Sequence, residues 1–307
     1  MSNTDTPLIR ENLLLRINEK IKRVSSIRPL SSDAMKRMHE ELRLQHTYHS
    51  NAIEGNTLTL PETKLILEKG ITTGGKTLSE HIEAINNARA FDLVVDLAKK
   101  KKKFDNDTIR QIHETVMAGI LEDAGKYRTK NVRIEGTTNA PDWSKITGLM
   151  DELIKKVSWS KMHPVGTSAF LHHGFVSFHP FTDGNGRVAR LLTNMYLIAR
   201  GYPPIVLKKG DKMKYYRSLK AAEAGNPAPF ANFIAKAVDE SLTSYLSLFG
   251  GDDELLPLKE LAKGSPYSQE YLSLRARQEY LDAVKIGRVW YSSKRAMEGY
   301  VSVHGRV

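Results

Sequence analysis

The chain has 307 residues, a length that suggests two domains or one large domain with an appendage. It contains no cysteine, which excludes disulfides and thiolate metal sites, and no apolar run approaches the roughly 18 residues that a membrane-spanning helix needs. The net charge of +11 fits a polyanionic partner, either nucleic acid or nucleotide, and it equally fits a solubilising surface. The polar start lacks a signal-peptide pattern, so we expect a cytoplasmic protein with no membrane partner.

Apolar residues recur at three- and four-residue spacing through most of the chain, which predicts a mainly α-helical fold. Residues 1–110 form a predicted N-terminal helical region, including a helix at about 35–55 that runs from Met35 to Glu54. Gly55 suits the position just after a helix. Glu54 would then lie in the last turn, where the helix dipole disfavours an anion by about 0.3–1 kcal/mol. Such a conflict with a local rule points to function if a cationic partner exists elsewhere.

Two later segments break the helical pattern. Residues 131–143 place Val132 and Ile134 in alternation before Gly136 and Pro141, which predicts a short β-hairpin or flap. Residues 249–257 combine paired glycines with acidic residues and are predicted to be a linker. The change of character after this linker suggests a small separate unit over residues 258–307.

The segment from His179 to Arg190 carries the clearest chemistry. Gly184, Asn185 and Gly186 allow backbone conformations in which successive N–H groups converge on an anion, and a predicted helix begins directly after them. Its Arg187 and Arg190 are three residues apart, so both can reach one polyphosphate. Asp183 is placed to hold Mg²⁺ beside phosphates, and His179 has an ordinary pKa near neutrality, as a general base requires.

This segment resembles the signature of the Fic family, H-P-F-x-[D/E]-G-N-G-R-x-x-R, at every fixed position. The resemblance extends over roughly residues 35–245, with the Fic domain at 111–248. It implies a helical bundle with a β-hairpin flap that binds Mg-ATP and transfers AMP to a Ser, Thr or Tyr hydroxyl of a protein. Relatives that transfer phosphate lack the second glycine of the loop, and Gly186 is present here.

The resemblance also implies a role for each matching residue. His179 would deprotonate the target hydroxyl, and Asp183 would ligate Mg²⁺. The remaining residues fall into two sets, one for the nucleotide and one for the target. ATP would be held by Gly184, Asn185, Gly186, Arg187 and Arg190, with Tyr215, Tyr216 and Glu223 lining the adenine and ribose pocket. The flap residues Arg133, Ile134, Glu135 and Gly136 would align the target backbone by strand addition.

Ser50, Glu54 and Gly55 match the family's inhibitory pattern [S/T]-x-x-x-E-[G/N]. In Fic proteins that carry it on the N-terminal side, the glutamate pairs with the second arginine of the motif, which is Arg190 here. The resemblance therefore implies an enzyme that Glu54 holds inactive. The same glutamate could help water to remove AMP from a modified protein, and that activity stays open as a secondary interpretation.

Residues 258–307 resemble a small winged helix-turn-helix of the excisionase or MerR type. Leu258 would begin the first helix, Ser268 would cap the second, and Val289 to Tyr291 would form a wing strand. The basic side chains of this unit favour DNA, but many such units dock proteins instead. One alternative for the whole chain is thus a DNA-binding regulator that senses nucleotide without turning it over. Relatives are often dimers, so a homodimer is also considered.

Overall fold

The structure is a computed structural model that describes residues 8–27, 32–133 and 140–304. These residues are mainly helical, as predicted. The helices are α1 (Glu11–Ser26), α2 (Ser32–Ile53), α3 (Leu60–Lys69), α4 (Leu78–Lys99), α5 (Asn106–Met117), α6 (Ile146–Ser158), α7 (Pro164–Phe178), α8 (Asn185–Ile198), α9 (Lys212–Glu223), α10 (Ala228–Ser247), α11 (Leu258–Ala262), α12 (Gln269–Arg277) and α13 (Lys294–His304). None of them is long and apolar enough to cross a membrane.

The chain divides into two compact units. The first comprises the described residues of Met1–Leu14 and Ser31–Ala237, and the second those of Leu15–Leu30 and Val238–Val307. This division differs from the predicted boundaries, because the second unit includes most of α1 and the last part of α10. The predicted linker at 249–257 contains a 3₁₀ turn at Gly251–Asp253 and the strand β1 (Leu256–Pro257).

The core of the first unit is built by helices α4 to α8. Short polar residues start two of the unit's helices, since Thr59 and Thr77 each form a capping box with a glutamate three residues later. The loop before α8 adds Phe181 to the same core. The largest fully buried side chains of this cluster are Phe91, Ile109, Ile112, Met117, Ile146, Phe175 and Phe181.

Helix α2 ends as its sequence predicts. Gly55 has φ 107°, its N–H donates to the Ala52 carbonyl at 3.3 Å, and the Asn56 N–H donates to the Asn51 carbonyl at 3.1 Å. These paired bonds are those of a Schellman cap with Gly55 just beyond the helix. The regular helix stops at Ile53, so Glu54 lies at the cap instead of within the last turn.

The second unit contains the predicted helix-turn-helix elements. Ser268 caps the N-terminus of α12, because its hydroxyl accepts from the Tyr271 N–H at 3.2 Å. Strands β2 (Val284–Ile286) and β3 (Val289–Ser292) form an antiparallel hairpin, and β1 pairs with the other edge of β3. Gly287 takes φ 60° in the two-residue loop of this hairpin, a conformation that favours glycine. The core consists of Leu258, Leu272, Ala276, Leu281, Met297 and Tyr300.

A buried ionic cluster links distant parts of the second unit. Lys20 is 4% exposed and donates to Asp239 at 2.7 Å, Thr243 at 2.6 Å and Asp282 at 2.8 Å. Arg16 bonds to the same Asp239 at 2.7 Å. These contacts explain why the described residues 15–27 belong with the C-terminal part of the chain.

Candidate active site

His179 follows the last residue of α7 and turns the chain sharply. Its backbone has φ 48° and ψ 59°, the left-handed region that few residues other than glycine adopt, and its N–H donates to the Phe175 carbonyl at 3.1 Å. The side chain is half-buried. Burial lowers the pKa of His179, and the Arg128 cation acts in the same direction. The Val176 backbone and the carboxylates of Asp183 and Glu54 oppose that shift. The balance favours a neutral imidazole, the form that accepts a proton.

The loop after His179 leads directly into the N-terminus of α8. Gly184 is the N-cap residue with φ 76°, and no side chain caps the helix there. A Cβ on Gly184 would lie 2.7 Å from the Met117 sulfur, so glycine is required by space as well as by conformation. The free N-terminal N–H groups and the helix dipole both favour an anion at this point.

Asn185 shapes this loop from within. Its side chain accepts from the Phe181 N–H at 3.0 Å and donates to the Phe181 carbonyl at 2.9 Å, and it is 2% exposed. Both ends of the amide are therefore used by the backbone of the loop. The side chain of Asn185 therefore holds the loop in shape, and a contact of this residue with phosphates stays a prediction.

The two arginines of the motif are buried and each faces carboxylates. Arg187 is 3% exposed and donates to Glu83 at 2.9 Å, with Asp183 at 3.4 Å. Asn56 donates to the other oxygen of Glu83 at 2.8 Å. Glu83 thus connects Arg187 to the chain just after Gly55, a link that the sequence did not indicate.

Arg190 and Glu54 meet as the sequence predicts. Arg190 is 2% exposed and donates to the Glu54 carboxylate at 2.7 Å, to the Ser50 hydroxyl at 2.8 Å and to the Ser50 carbonyl at 3.0 Å. A Cβ built on Gly186 would overlap the Glu54 carboxylate. An internal anion therefore rests against the second glycine of the loop, next to an arginine that could otherwise bind phosphate.

His113 supports the loop and was not singled out from the sequence. Its ring stacks on Phe181 with centroids 3.6 Å apart. The Gly125 N–H donates to its Nδ1 at 2.8 Å, so its Nε2 carries the proton and donates to the Asp183 carbonyl at 3.0 Å. Burial lowers the pKa of His113 to about 4, which keeps this tautomer neutral. A histidine at a core-facing position of an amphipathic helix gives no sequence signal of this role.

Arg128 is the second supporting residue that the sequence analysis missed. Its guanidinium is 3% exposed and donates to the His179 carbonyl at 2.8 Å. In the sequence it belongs to a short basic stretch, GKYRTK, that is typical of a solvated loop. Burial of this arginine is a tertiary property that such a pattern does not show.

The residues predicted to line the adenine and ribose pocket lie in different surroundings. Tyr215 is 2% exposed, and its hydroxyl is 2.8 Å from His172 Nε2. Tyr216 packs edge-on against Tyr215 and is 42% exposed, and Glu223 is exposed at the end of α9. Burial raises the pKa of Tyr215, so its hydroxyl stays protonated. Of these three predicted residues, Tyr216 and Glu223 present accessible side chains.

The flap falls largely outside the described residues. Ile134, Glu135 and Gly136 lie in the part of the chain that the structure does not describe, so the hairpin stays a prediction. Arg133 is described and exposed. The described ends of this segment are joined by Asn131, which bonds to the Asp142 side chain at 3.1 Å and accepts from the Trp143 N–H at 2.9 Å.

Asp183 is the residue that fits a magnesium ion. Its side chain is 63% exposed beside the N-terminus of α8. Among the described residues, no group of three or more His, Cys, Asp or Glu side chains could hold a metal ion. Mg²⁺ beside phosphates commonly uses one or two carboxylates and completes its shell with phosphate oxygens and water. A single exposed carboxylate next to an anion cradle matches that donor set.

Comparison with known proteins agrees with this geometry. The Fic/DOC family model matches residues 103–197. A protein adenylyltransferase Fic of Nematostella vectensis is 37% identical over 242 residues, which cover 77% of this chain and 56% of that protein. The solved structure of Fic-1 from C. elegans is 30% identical with a TM-score of 0.71, covering 78% of this chain and 72% of that one. A Fic-domain signaling protein from Bacteroides thetaiotaomicron is 28% identical with a TM-score of 0.69, covering 74% and 95%.

The chain spans about half the length of the curated relatives it matches, with 56%, 49% and 47% of three of them covered. Over that shared part the loop, its histidine and its arginines form one arrangement on helices α7 and α8. The agreement of sequence and fold over most of this chain shows that it belongs to the Fic/DOC family.

Proposed function

We propose that this chain transfers AMP from ATP to a Ser, Thr or Tyr hydroxyl of a protein and that Glu54 restrains the reaction. The observation that carries the proposal is the grouping of a neutral, half-buried His179 with an anion-binding helix N-terminus and two buried arginines. Curated relatives named protein adenylyltransferase Fic support the same activity. A sensor that only bound nucleotide would need the cradle but would have no use for a base.

The proposed reaction forms one bond and breaks one bond at the α-phosphorus of ATP. The hydroxyl oxygen of the target attacks this phosphorus as His179 takes its proton, and the bond to the bridging oxygen breaks. The electron pair of that bond leaves with pyrophosphate. Arg187 and Arg190 would bind the departing phosphates, where their charge stabilises the developing anion. Mg²⁺ held at Asp183 would supply further neutralisation of that charge.

The restraint follows from the position of Glu54. Its carboxylate lies against Gly186 and takes one N–H of Arg190. A phosphate that used the same arginine would meet a like charge at this point. We propose that productive binding of ATP needs Glu54 to move aside, and that Ser50 keeps Arg190 oriented through its two bonds.

Labelling with two forms of ATP tests the proposal. A Glu54→Gly variant and the wild type would be incubated with a cell lysate and ATP labelled at either the α- or the γ-phosphate. AMP transfer predicts label on protein from α-labelled ATP alone, more with Glu54→Gly, and none with His179→Ala. Label from γ-labelled ATP would indicate phosphate transfer, and no label with either form would favour a nucleotide sensor.

We also propose that the second unit binds duplex DNA. Its hairpin presents Lys285 and Arg288 to solvent beside the tip at Gly287. Two carboxylates of this unit are already paired, because Asp282 bonds to Lys20 and Asp253 pairs with Arg23 and Arg295. The exposed side chains of Lys285 and Arg288 would contact an external polyanion, and a capped α12 precedes them.

Salt dependence distinguishes this candidate from protein docking. The full-length chain would be titrated against a labelled duplex of mixed sequence at several salt concentrations. We expect the affinity to fall as salt rises and the salt slope to weaken by about 1 in Arg288→Ala. Lys64→Ala, which removes an exposed cation of α3, is the matched control and should leave the slope unchanged. No affinity at low salt would overturn the proposal and favour docking of a protein.

A homodimer and a cytoplasmic location stay predictions. Light scattering of the purified protein tests the homodimer.

A further inference from the structure

Arg128 gathers four backbone groups from three parts of the first unit. Its Nε donates to the His179 carbonyl at 2.8 Å, its Nη1 to the Lys130 carbonyl at 3.0 Å and its Nη2 to the Pro141 carbonyl at 2.5 Å. Its backbone N–H donates to the Pro180 carbonyl at 2.9 Å. Each nitrogen of the guanidinium thus has its own acceptor, and the side chain is 3% exposed.

Two of these bonds are made to the backbone at His179 and Pro180, directly after the end of α7. His179 has positive φ, so its carbonyl points away from α7 and has no helical partner. Arg128 fixes that carbonyl and the next one, at Pro180, and therefore fixes both peptide groups that follow the Cα of His179. The orientation of the imidazole depends on this short stretch of backbone.

The other two bonds reach the ends of the segment between Lys130 and Pro141. One planar guanidinium therefore joins the backbone at Lys130, at Pro141 and at His179. A lysine ammonium also has three N–H donors, but they radiate from one atom at the end of a flexible chain and cannot match three acceptors placed around a planar, three-nitrogen guanidinium. The arrangement of the three acceptors therefore requires an arginine at this position.

We propose that Arg128 is a positioning residue that orients His179 for proton transfer. The inference rests on the proposed function, because it assigns His179 the role of base. Arg128 itself touches neither ATP nor the attacking hydroxyl in this proposal. It acts through the backbone of His179 and through its own charge.

The charge gives a readout that a purely structural role would not change. Among the described residues, the charged groups that act on His179 are Arg128, Asp183 from the loop before α8, and Glu54 from the end of α2. Arg128 lowers the pKa of His179, while the two carboxylates raise it. Removing the cation should therefore raise that pKa, so the acidic limb of the pH–rate profile should move to higher pH.

Two substitutions separate the hydrogen-bonding geometry of Arg128 from its charge. Arg128→Lys keeps the positive charge and loses the planar, three-nitrogen guanidinium, whereas Arg128→Gln loses both. Each would be made in the Glu54→Gly background and compared with Arg110→Gln, which removes a partly exposed arginine that lies over the Tyr127 ring. The initial rate of AMP incorporation into lysate protein would be measured at saturating ATP across pH, with the affinity for a non-hydrolysable ATP analogue measured by calorimetry.

We expect both Arg128 variants to lose about 10- to 100-fold in rate, the scale of a small misplacement of a reacting group. Affinity for the ATP analogue should stay within about twofold, because the phosphate-binding arginines are unchanged, and this binding also checks folding. The acidic limb should shift upward in Arg128→Gln only. An unchanged rate in Arg128→Lys would overturn the inference, as would an equal loss of rate and analogue affinity.

A measurement independent of activity keeps the two proposals apart. The pKa of His179 can be followed by NMR titration of its ring in the Glu54→Gly protein and in its Arg128→Gln and Arg110→Gln derivatives. We expect it to rise in Arg128→Gln and to stay the same in Arg110→Gln. If the Glu54→Gly protein transfers no label from ATP to protein, that result would contradict the proposed function alone. An unshifted His179 in Arg128→Gln would contradict the inference, whatever the Glu54→Gly protein does. If Arg128→Gln does not fold, the rate and affinity of Arg128→Lys decide.

Discussion

Replacement of Glu54 by glycine should activate AMP transfer, because it removes the anion that occupies the phosphate cradle. The Glu54 carboxylate accepts from Arg190 at 2.7 Å and lies against Gly186. A hydrogen bond between charged groups contributes about 1.5–3 kcal/mol. Glu54 is 31% exposed, so solvent screening places the value toward the lower end of that range. Since 1.36 kcal/mol corresponds to tenfold in rate, we expect activation of about 10- to 100-fold.

The same substitution should lower stability only moderately without nucleotide. Arg190 keeps its two bonds to Ser50 but loses its carboxylate partner in a site where it is 2% exposed. Breaking a fully buried pair costs about 3–5 kcal/mol, and partial exposure of Glu54 reduces this to about 1–2 kcal/mol. ATP should restore the loss, because its phosphates replace the missing anion.

The assay is label incorporation from α-labelled ATP by wild type, Glu54→Gly, Arg190→Ala and the double variant, at equal ATP and Mg²⁺. The double variant should be as inactive as Arg190→Ala, a non-additivity that distinguishes a specific latch from general loosening. Glu40→Gly, at an exposed site of the same helix, is the matched control for loosening of α2. Equal activity of wild type and Glu54→Gly would refute the reasoning, and so would activation by Glu40→Gly.

Three further predictions follow from the structure. His179→Ala should lose about 10² to 10⁴ in transfer rate while calorimetric ATP affinity changes little, and normal labelling would remove His179 from the role of base. Because burial lowers the pKa of His179 below its ordinary value of about 6.5, the rate of Glu54→Gly should be level above neutral pH and fall only below it. An acidic midpoint above pH 7 would contradict this sign. Lys20→Met should destabilise the protein by about 1–3 kcal/mol in thermal unfolding, since Asp239 and Asp282 lose their bonds to Lys20 but keep Arg16 nearby, whereas exposed Lys22→Met should have little effect.

The parts of the site that sequence could predict are those whose residues lie close together along the chain. Gly184 and Arg187 belong to one loop and helix start, so their local conformations follow from short-range rules, whereas the positive φ of His179 was not predicted. Gly55 ended α2 as expected for the same reason. The pairing of Glu54 with Arg190 spans 136 residues, and it was predicted only through resemblance to a family.

The supporting residues could not be predicted because their partners are set by packing. Arg128 and His113 donate to backbone carbonyls 51 and 70 residues away. Every residue has such a carbonyl, so the sequence does not indicate which one will be the partner. The bonds of the Asn185 side chain to the Phe181 backbone were likewise not predicted.

The division of the chain has a similar cause. Lys20 reaches Asp239 and Asp282 across 219 and 262 residues. The change in composition near residue 250 gives no indication that α1 joins the C-terminal unit. The glycine-rich, acidic segment at 249–257 has the composition of a free linker. Its Asp253 is nevertheless paired with Arg23, and the sequence does not show this long-range ion pair.

The chemical identity of the modified side chain tests the central claim most directly. Protein labelled by the Glu54→Gly variant would be digested and analysed by peptide mass spectrometry, with fragmentation that locates the added group. We expect one intact AMP unit, esterified through its phosphate to a serine, threonine or tyrosine oxygen, and no such peptide after incubation with the His179→Ala variant. A bare phosphate on the target, or AMP in equal amount with His179→Ala, would contradict the account.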